Sequence, residues 1–258
     1  NNKRIYNIGI LEQSMISLAA GLSNEGMKPI VHTIAPFIVN RAFEQLKIDF
    51  GYNRLKGNFV SIGASYDYAS LGCTHHCPED INLMHNIPNM QIVVPGNSDE
   101  FNDLFNQSYN KENPTYYRLS DHENDKKFKV KFGKSNYIDN KSKITIVAIG
   151  PVLNNLYPLI KKYSLNLIYL TTIRPFDQNV FKKILKKNSS VLIVEPFYSG
   201  AVNNEINNSF RNRNLKIKNI SVPFKFLTNY GDKKQHDKKL GFTLENFEKR
   251  IKELKKLS

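Results

Sequence analysis

Along this chain, short unbroken apolar runs alternate with longer stretches in which apolar residues return at helical spacing. Asn7 to Leu22 reads as the end of a strand, a turn at Gly9, and a helix with an apolar stripe of Ile10, Met15, Leu18, Ala19 and Leu22. Residues 28–35 form an apolar strand, and Phe37 to Phe50 carries Ile38, Ala42, Leu46 and Phe50 on one helical face. Strands are predicted at 58–63, 90–95 and 114–119, and helices at 78–84 and 98–110, the latter opening on Asp99 and Glu100. Beyond a lysine-rich stretch at 121–143 the alternation resumes, with strands at 143–150, 166–170, 190–195 and 216–221. Helices are predicted near 152–163, 177–187, 201–211 and 243–256. Strands that are apolar on both faces and alternate with helices imply parallel sheets covered on each side. The expected fold class is therefore α/β, with two consecutive parallel-sheet α/β domains at 1–122 and 143–258 and a connection over 123–142.

Composition modifies this picture little. The 258 residues are 40% hydrophobic with 16 Phe and 13 Tyr, enough for two cores. The formal charge of +14 invites a nucleic-acid reading. Lysine is spread over the whole chain, however, and the densest basic run, 233–256, is interleaved with Asp237, Glu245, Glu248 and Glu253 as on a solvated helix face. No nucleic-acid partner is expected. No apolar run approaches the roughly 20 residues of a membrane span, so no membrane is expected either. Two cysteines make no disulfide framework, and the expected setting is reducing and cytoplasmic.

In parallel α/β sheets, ligands bind beyond the carboxyl ends of the strands. Glu12, the Phe37 segment, the loop around Cys73–Cys77, and Asp121-His122 all fall at such ends. Glu12 alone reads most simply as a charge complementing a helix N-terminus, the other reading being a carboxyl held protonated in a dry site. Cys73, His75, His76 and Cys77 suggest a metal, but adjacent histidines seldom reach one ion and no second ligand pair exists. No metal ligand is assigned. There is no glycine-rich phosphate loop and no nucleophile elbow.

Five segments resemble the transketolase family in the family's own order. They are Ile8–Gln13 (IGILEQ) with Ala19–Leu22 (AAGL), Asn40–Gln45 (NRAFEQ), Gly72–His75 (GCTH), Ile87–Met90 (IPNM) with Val94-Pro95, and Ile173–Asp177 (IRPFD). The resemblance implies a pyrimidine-binding domain, lacking its first strand and helix, followed by the family's C-terminal domain. It implies thiamine diphosphate as cofactor and transfer of a two-carbon ketol unit between sugars or sugar derivatives. Glu12 would be the carboxylate that shares a proton with the aminopyrimidine, and His75 the histidine facing the reacting carbon. Phe37 and Arg41 would contact the cofactor, although relatives tend to carry the aromatic at the position of Ile38. His76, Asp121 and His122 would line the substrate site. The family's diphosphate- and Mg²⁺-binding motif is absent. An N-terminal diphosphate-binding subunit or domain would hold the metal, in a dimer or an α2β2 assembly.

Two departures bear on substrate. Leu71 replaces an aspartate that contacts the donor sugar, and Asp121 stands where sugar-phosphate relatives place an arginine. A carboxylate there repels a phosphate. A non-phosphorylated or differently placed substrate is expected. The alternative is a part acting like the beta subunit of a 2-oxo acid decarboxylating enzyme or like 1-deoxyxylulose-5-phosphate synthase. A non-catalytic partner-binding subunit is the remaining reading.

Overall fold

The computed structural model describes residues 4–257. Residues 4–11, ahead of α1 (Glu12–Asn24), are irregular and not a strand. The core face of α1 is Ile16, Ala19 and Ala20, while Ile10 and Leu18 point to solvent. The small side chains let α1 lie close against β1 (Ile30–Ile34) and the helical stretch that follows it. That stretch is wound as π-helix at Phe37–Arg41 and Leu46–Tyr52, around the single α-turn α2 (Phe43–Gln45).

The first domain continues through β2 (Asn58–Ile62), α3 (Asp80–His85), β3 (Gln91–Val93), α4 (Ser98–Ser108) and β4 (Thr115–Arg118). The second holds β5 (Asn136–Ile138), β6 (Ile144–Ile149), α5 (Leu153–Lys162), β7 (Asn166–Leu170), β8 (Thr172–Arg174), α6 (Gln178–Ile184), β9 (Ser190–Tyr198), α7 (Ala201–Ser209), β10 (Lys216–Val222), α8 (Lys233–Leu240) and α9 (Leu244–Leu257). The two sheets have the orders β1-β2-β4-β3-β8 and β10-β9-β6-β7-β5. All pairings are parallel except at one edge of each sheet, where β8 and β5 run antiparallel. The expected parallel sheets are thus parallel-dominated and mixed. The lysine-rich stretch expected as a connection carries β5.

Strand β8 comes from the second half of the chain yet extends the first sheet, pairing Val93 with Thr172. Consecutive strands β7 and β8 therefore belong to different sheets, and the Val94 N–H donates to Thr171 O between them (2.9 Å). One apolar cluster follows the same path, joining Ile92 and Tyr116 of the first sheet to Ile149, Ile168 and Ile193 of the second. The domains share a core.

Arg118 is the largest fully buried side chain. It sits at the end of β4, and its Nε donates to Asp80 Oδ2 (2.7 Å). Its Nη2 donates to Ser65 Oγ (2.6 Å) and to Pro196 O of β9 (3.1 Å). Removing one partner of such a pair leaves an uncompensated buried charge. Asp80→Ala is expected to lower the unfolding free energy by about 3–5 kcal/mol, read from urea denaturation at pH 7. Joint replacement of Asp80 by Leu and Arg118 by Met should recover most of that loss.

Glu195 on β9 is also fully buried, and accepts N–H bonds from Gly200 (3.3 Å) and Val202 (3.0 Å) at the start of α7. Burial pushes its carboxyl up to about 7 in spite of these donors. A group whose pKa rises on folding stabilises the fold most below its unfolded value, near 4.5, and that stability is lost as pH climbs through about 7. Glu195→Gln should remove a slope on the order of 3 kcal/mol between pH 4.5 and pH 8, measured as the difference between chemical denaturation curves across that range.

Candidate active site

The parallel strands β1, β2 and β4 end on one edge, and the chain leaves each of them into a segment that carries polar side chains. After β1 come Phe37 and Arg41, after β2 the loop with Tyr68, His75 and His76, and after β4 Asp121 and His122. Glu12 reaches the same edge from the first turn of α1.

Four of the predicted residues form a contiguous row. Glu12 is 7% exposed and accepts from Arg41 Nη1 through Oε2 (2.7 Å). Its carboxylate is therefore paired with a cation, an arrangement that neither sequence-level reading of Glu12 included. The Arg41 guanidinium lies over the Phe37 ring, 4.2 Å from its centroid. Phe37 meets the His75 ring edge-on at 5.5 Å. Ile38 is wholly in the core, while half-buried Phe37 faces the row.

His75 closes a short 3-10 turn, Cys73–His75, whose entry is Gly72 in a conformation with positive φ (74°) that L side chains rarely adopt. The His75 N–H donates to Gly72 O (3.0 Å), and its Nδ1 lies 2.9 Å from Thr74 Oγ1. Tyr68, which sequence patterning did not single out, stands edge-on to His75 at 6.3 Å. Burial raises its hydroxyl pKa, and the carboxylates of Asp121 and Asp67 add to the shift. The ring is seated by Gly63, where a Cβ would stand 2.3 Å from Tyr68 Cε2. An aromatic in an irregular loop has no periodicity to reveal it.

The remaining predicted residues are not part of the row. His76 is buried but lines the groove beside it, edge-on to His236 of α8 at 5.6 Å, and burial lowers its imidazole pKa, with His236 adding to the effect. Asp121 is exposed, and its N–H donates to Asp67 Oδ2 (3.2 Å), one residue from Tyr68. His122 lines a separate cavity of about 340 Å³ between the domains, together with Asp67, Lys233 and Asp237.

Beside the row runs a groove of about 1020 Å³. Phe37, Arg41, Cys73 and Thr74 form one wall, and Tyr198, Phe224, Lys225 and Phe226 of the second domain the other. Among the described residues no group of three or more His, Cys, Asp or Glu could hold a metal ion, and no helix is long and apolar enough to cross a membrane.

A carboxylate, an aromatic face and an imidazole in sequence suit a planar heterocycle with a ring nitrogen. Arg41 already demonstrates the fit: a planar N–H donor rests on Phe37 and bonds to Glu12. These residues match the pyrimidine half of thiamine diphosphate. They include no cradle for its diphosphate. Arg41→Met is expected to leave the buried Glu12 carboxylate without its donor and to cost about 1–3 kcal/mol of stability, read by urea unfolding at neutral pH.

The sequence pattern described as "Transketolase, pyrimidine binding domain" matches residues 1–125. An uncharacterized 33.6 kDa protein of the fasciation locus of Rhodococcoides fascians is 31% identical over 237 residues, covering 91% of this chain and 76% of its own length. One of the subunits of the apulose-4-phosphate transketolase of Actinobacillus succinogenes is 29% identical over 203 residues, 74% of this chain and 65% of that protein. The chain thus spans about three quarters of the one and just under two thirds of the other. Among solved structures, a split-gene transketolase described as an inactive beta4 tetramer superposes with a TM-score of 0.81 at 22% identity, over 95% of this chain and 81% of that one. At that identity the likeness shows the fold.

Proposed function

The chain belongs to the transketolase family, and on that premise we propose that it is the pyrimidine-binding and C-terminal section of a split, thiamine diphosphate-dependent enzyme. The reaction is transfer of a two-carbon ketol unit between sugars or sugar derivatives. The observation that carries this reading is the row Glu12–Arg41–Phe37–His75 at the strand-end edge of the first domain.

Thiamine diphosphate, when bound, supplies a carbanion equivalent and an electron sink. The chain's own residues bind, orient and move protons. Glu12 holds a proton against the ring nitrogen of the aminopyrimidine, and Phe37 offers its face to that ring. Arg41 donates to that carboxyl and places it, and leaves the Phe37 face when a ring takes its position. His75 stands at the end of the row, where it exchanges a proton with a hydroxyl of the transferred unit. Tyr68 fixes the opposite edge of His75.

Half of the site is missing from this chain, and its surface agrees with that. Ile5, Tyr6, Ile10 and Leu11 are between 56% and 85% exposed beside Glu12, an apolar surface that a partner would cover. The partner carries the diphosphate and its Mg²⁺. Asp121, at the end of β4, places a negative charge close enough to Tyr68 to raise its hydroxyl pKa, and disfavours a phosphate there.

The test is reconstitution with the subunit that supplies the diphosphate domain, using hydroxypyruvate as donor and an aldehyde as acceptor. Ketol transfer is expected, with little turnover of xylulose 5-phosphate. Glu12→Ala and His75→Ala should each lower kcat by on the order of 10²–10⁴ while circular dichroism stays unchanged. Decarboxylation of pyruvate without ketol transfer, or near-normal turnover by Glu12→Ala, rejects the assignment.

A further inference from the structure

The second domain contributes no residue to the row, yet it grips the loop that carries His75 on every side. The loop is closed at its base by the Cys77 N–H, which donates to Ser65 O (2.7 Å). Ser65 Oγ in turn donates to Pro196 O of β9. The Tyr198 N–H donates to Pro78 O (2.8 Å), and the hydroxyl of Tyr66 to Asp237 Oδ1 of α8 (2.7 Å). Nearer to His75 the contacts are rings. His236 of α8 packs edge-on against His76 at 5.6 Å and lies 5.5 Å from Tyr66. Tyr230 covers Gly72 so closely that a Cβ there would stand 2.7 Å from its Cε1. His236 and Tyr230 thus touch the residues on either flank of the Cys73–His75 turn.

The chemistry of these contacts argues against chance packing. His76 is 5% exposed and His236 3%. The His76 ring is left with a backbone interaction at Tyr68, and neither its nitrogens nor His236 Nε2 have a hydrogen bond of good geometry. Buried imidazole nitrogens so weakly partnered cost stability. A joint made only for stability would use apolar side chains of the same shape. Gly72 has positive φ, so the turn is set by backbone geometry, and the Tyr230 ring closes off the alternative of a swing outward. A small displacement of His76 or Gly72 moves His75 directly, because His75 is bonded to Gly72 through its own N–H.

We propose that the second domain is the template that sets the position of His75, with His236 and Tyr230 as positioning residues acting through His76 and Gly72. The proposal rests on the proposed role of His75 only for its catalytic consequence. The geometric claim stands by itself. Misplacement by about 1 Å at a reacting centre costs on the order of a hundredfold in rate, so the two ring contacts that the second domain makes on the flanks of the turn bear directly on His75.

The experiment uses the full chain, labelled at histidine, with the His75 imidazole signals assigned from His75→Asn. Three variants are compared: His236→Ala removes the ring contact, His236→Phe keeps it without the nitrogens, and Tyr230→Ala removes a ring that is itself exposed. The His75 signals are expected to shift or double in His236→Ala and in Tyr230→Ala, and to stay close to wild type in His236→Phe. In the assembled enzyme kcat should fall on the order of ten- to a hundredfold in the two alanine variants, with KM unchanged and His236→Phe restoring most of the loss. Unchanged His75 signals in both alanine variants overturn the proposal. So does a rise in KM at constant kcat, or a His236→Phe variant as impaired as His236→Ala. Should His236→Ala fail to fold, Tyr230→Ala decides alone. Full activity in His75→Ala would reject the catalytic reading and leave the signal comparison intact.

Discussion

A buried guanidinium holds the working parts of this molecule together. Arg118 ends β4, and within one side chain's reach it engages α3 through Asp80, the base of the His75 loop through Ser65, and β9 of the second domain through Pro196. Its guanidinium also lies 5.4 Å from the centre of the Phe197 ring. Lysine could not replace it, because a single ammonium lacks the planar fork that serves three directions at once. A buried ion pair of this sort adds little net stability over apolar packing, since two charges must leave water. What it adds is registry. The strand end, the loop and the second domain cannot slide past one another without stranding a charge.

The same logic explains why the domains are not merely strung together. Strands β7 and β8 are adjacent in sequence and divided between sheets, so the second domain completes the first domain's sheet edge. The loop after β2 then rests on a fixed surface. Parallel strand ends supply the positions of Phe37, His75 and Asp121, and contacts from β9 and α8 hold the loop that carries His75. A site built on loops gains accuracy only from such support.

The strong periodic signals in the sequence proved legible. The apolar runs at 58–63 and 143–150 became central strands because nothing but burial on both faces suits them. The edge strands β5 and β8 were not legible, since each has three residues and takes its geometry from the neighbour it pairs with. The helix α8 was absorbed into a solvated basic run because its sequence, KKQHDKKL, has no apolar stripe. Its signals were local: the capping box of Asp232 with Gln235, and Gly241 in a left-handed conformation at its end. That helix carries His236, so the element least visible in hydropathy is the one that reaches the His75 loop. At the site, strand-end placement pointed to Glu12, the Phe37 segment and the His75 loop, and the family resemblance added Arg41. Their row could not be read, because the Glu12–Arg41 pair joins residues 29 apart whose approach depends on how α1 packs on the π-helical stretch.

The π-helical winding itself matters for that row. A wide turn places Phe37 and Arg41, four residues apart, so that the guanidinium folds back over the ring instead of standing one turn above it. A regular α-helix would give the pair a different offset, and Glu12 would lose either its donor or its neighbouring ring. The apolar residues beside Glu12 stay open to solvent, while the row behind them is already assembled and satisfied. On the proposed reading, a second subunit or domain would meet a preformed half-site, and a ring entering it would have only to displace one guanidinium from Phe37. Preorganisation of this kind confines the ordering cost of assembly to the partner's side of the interface.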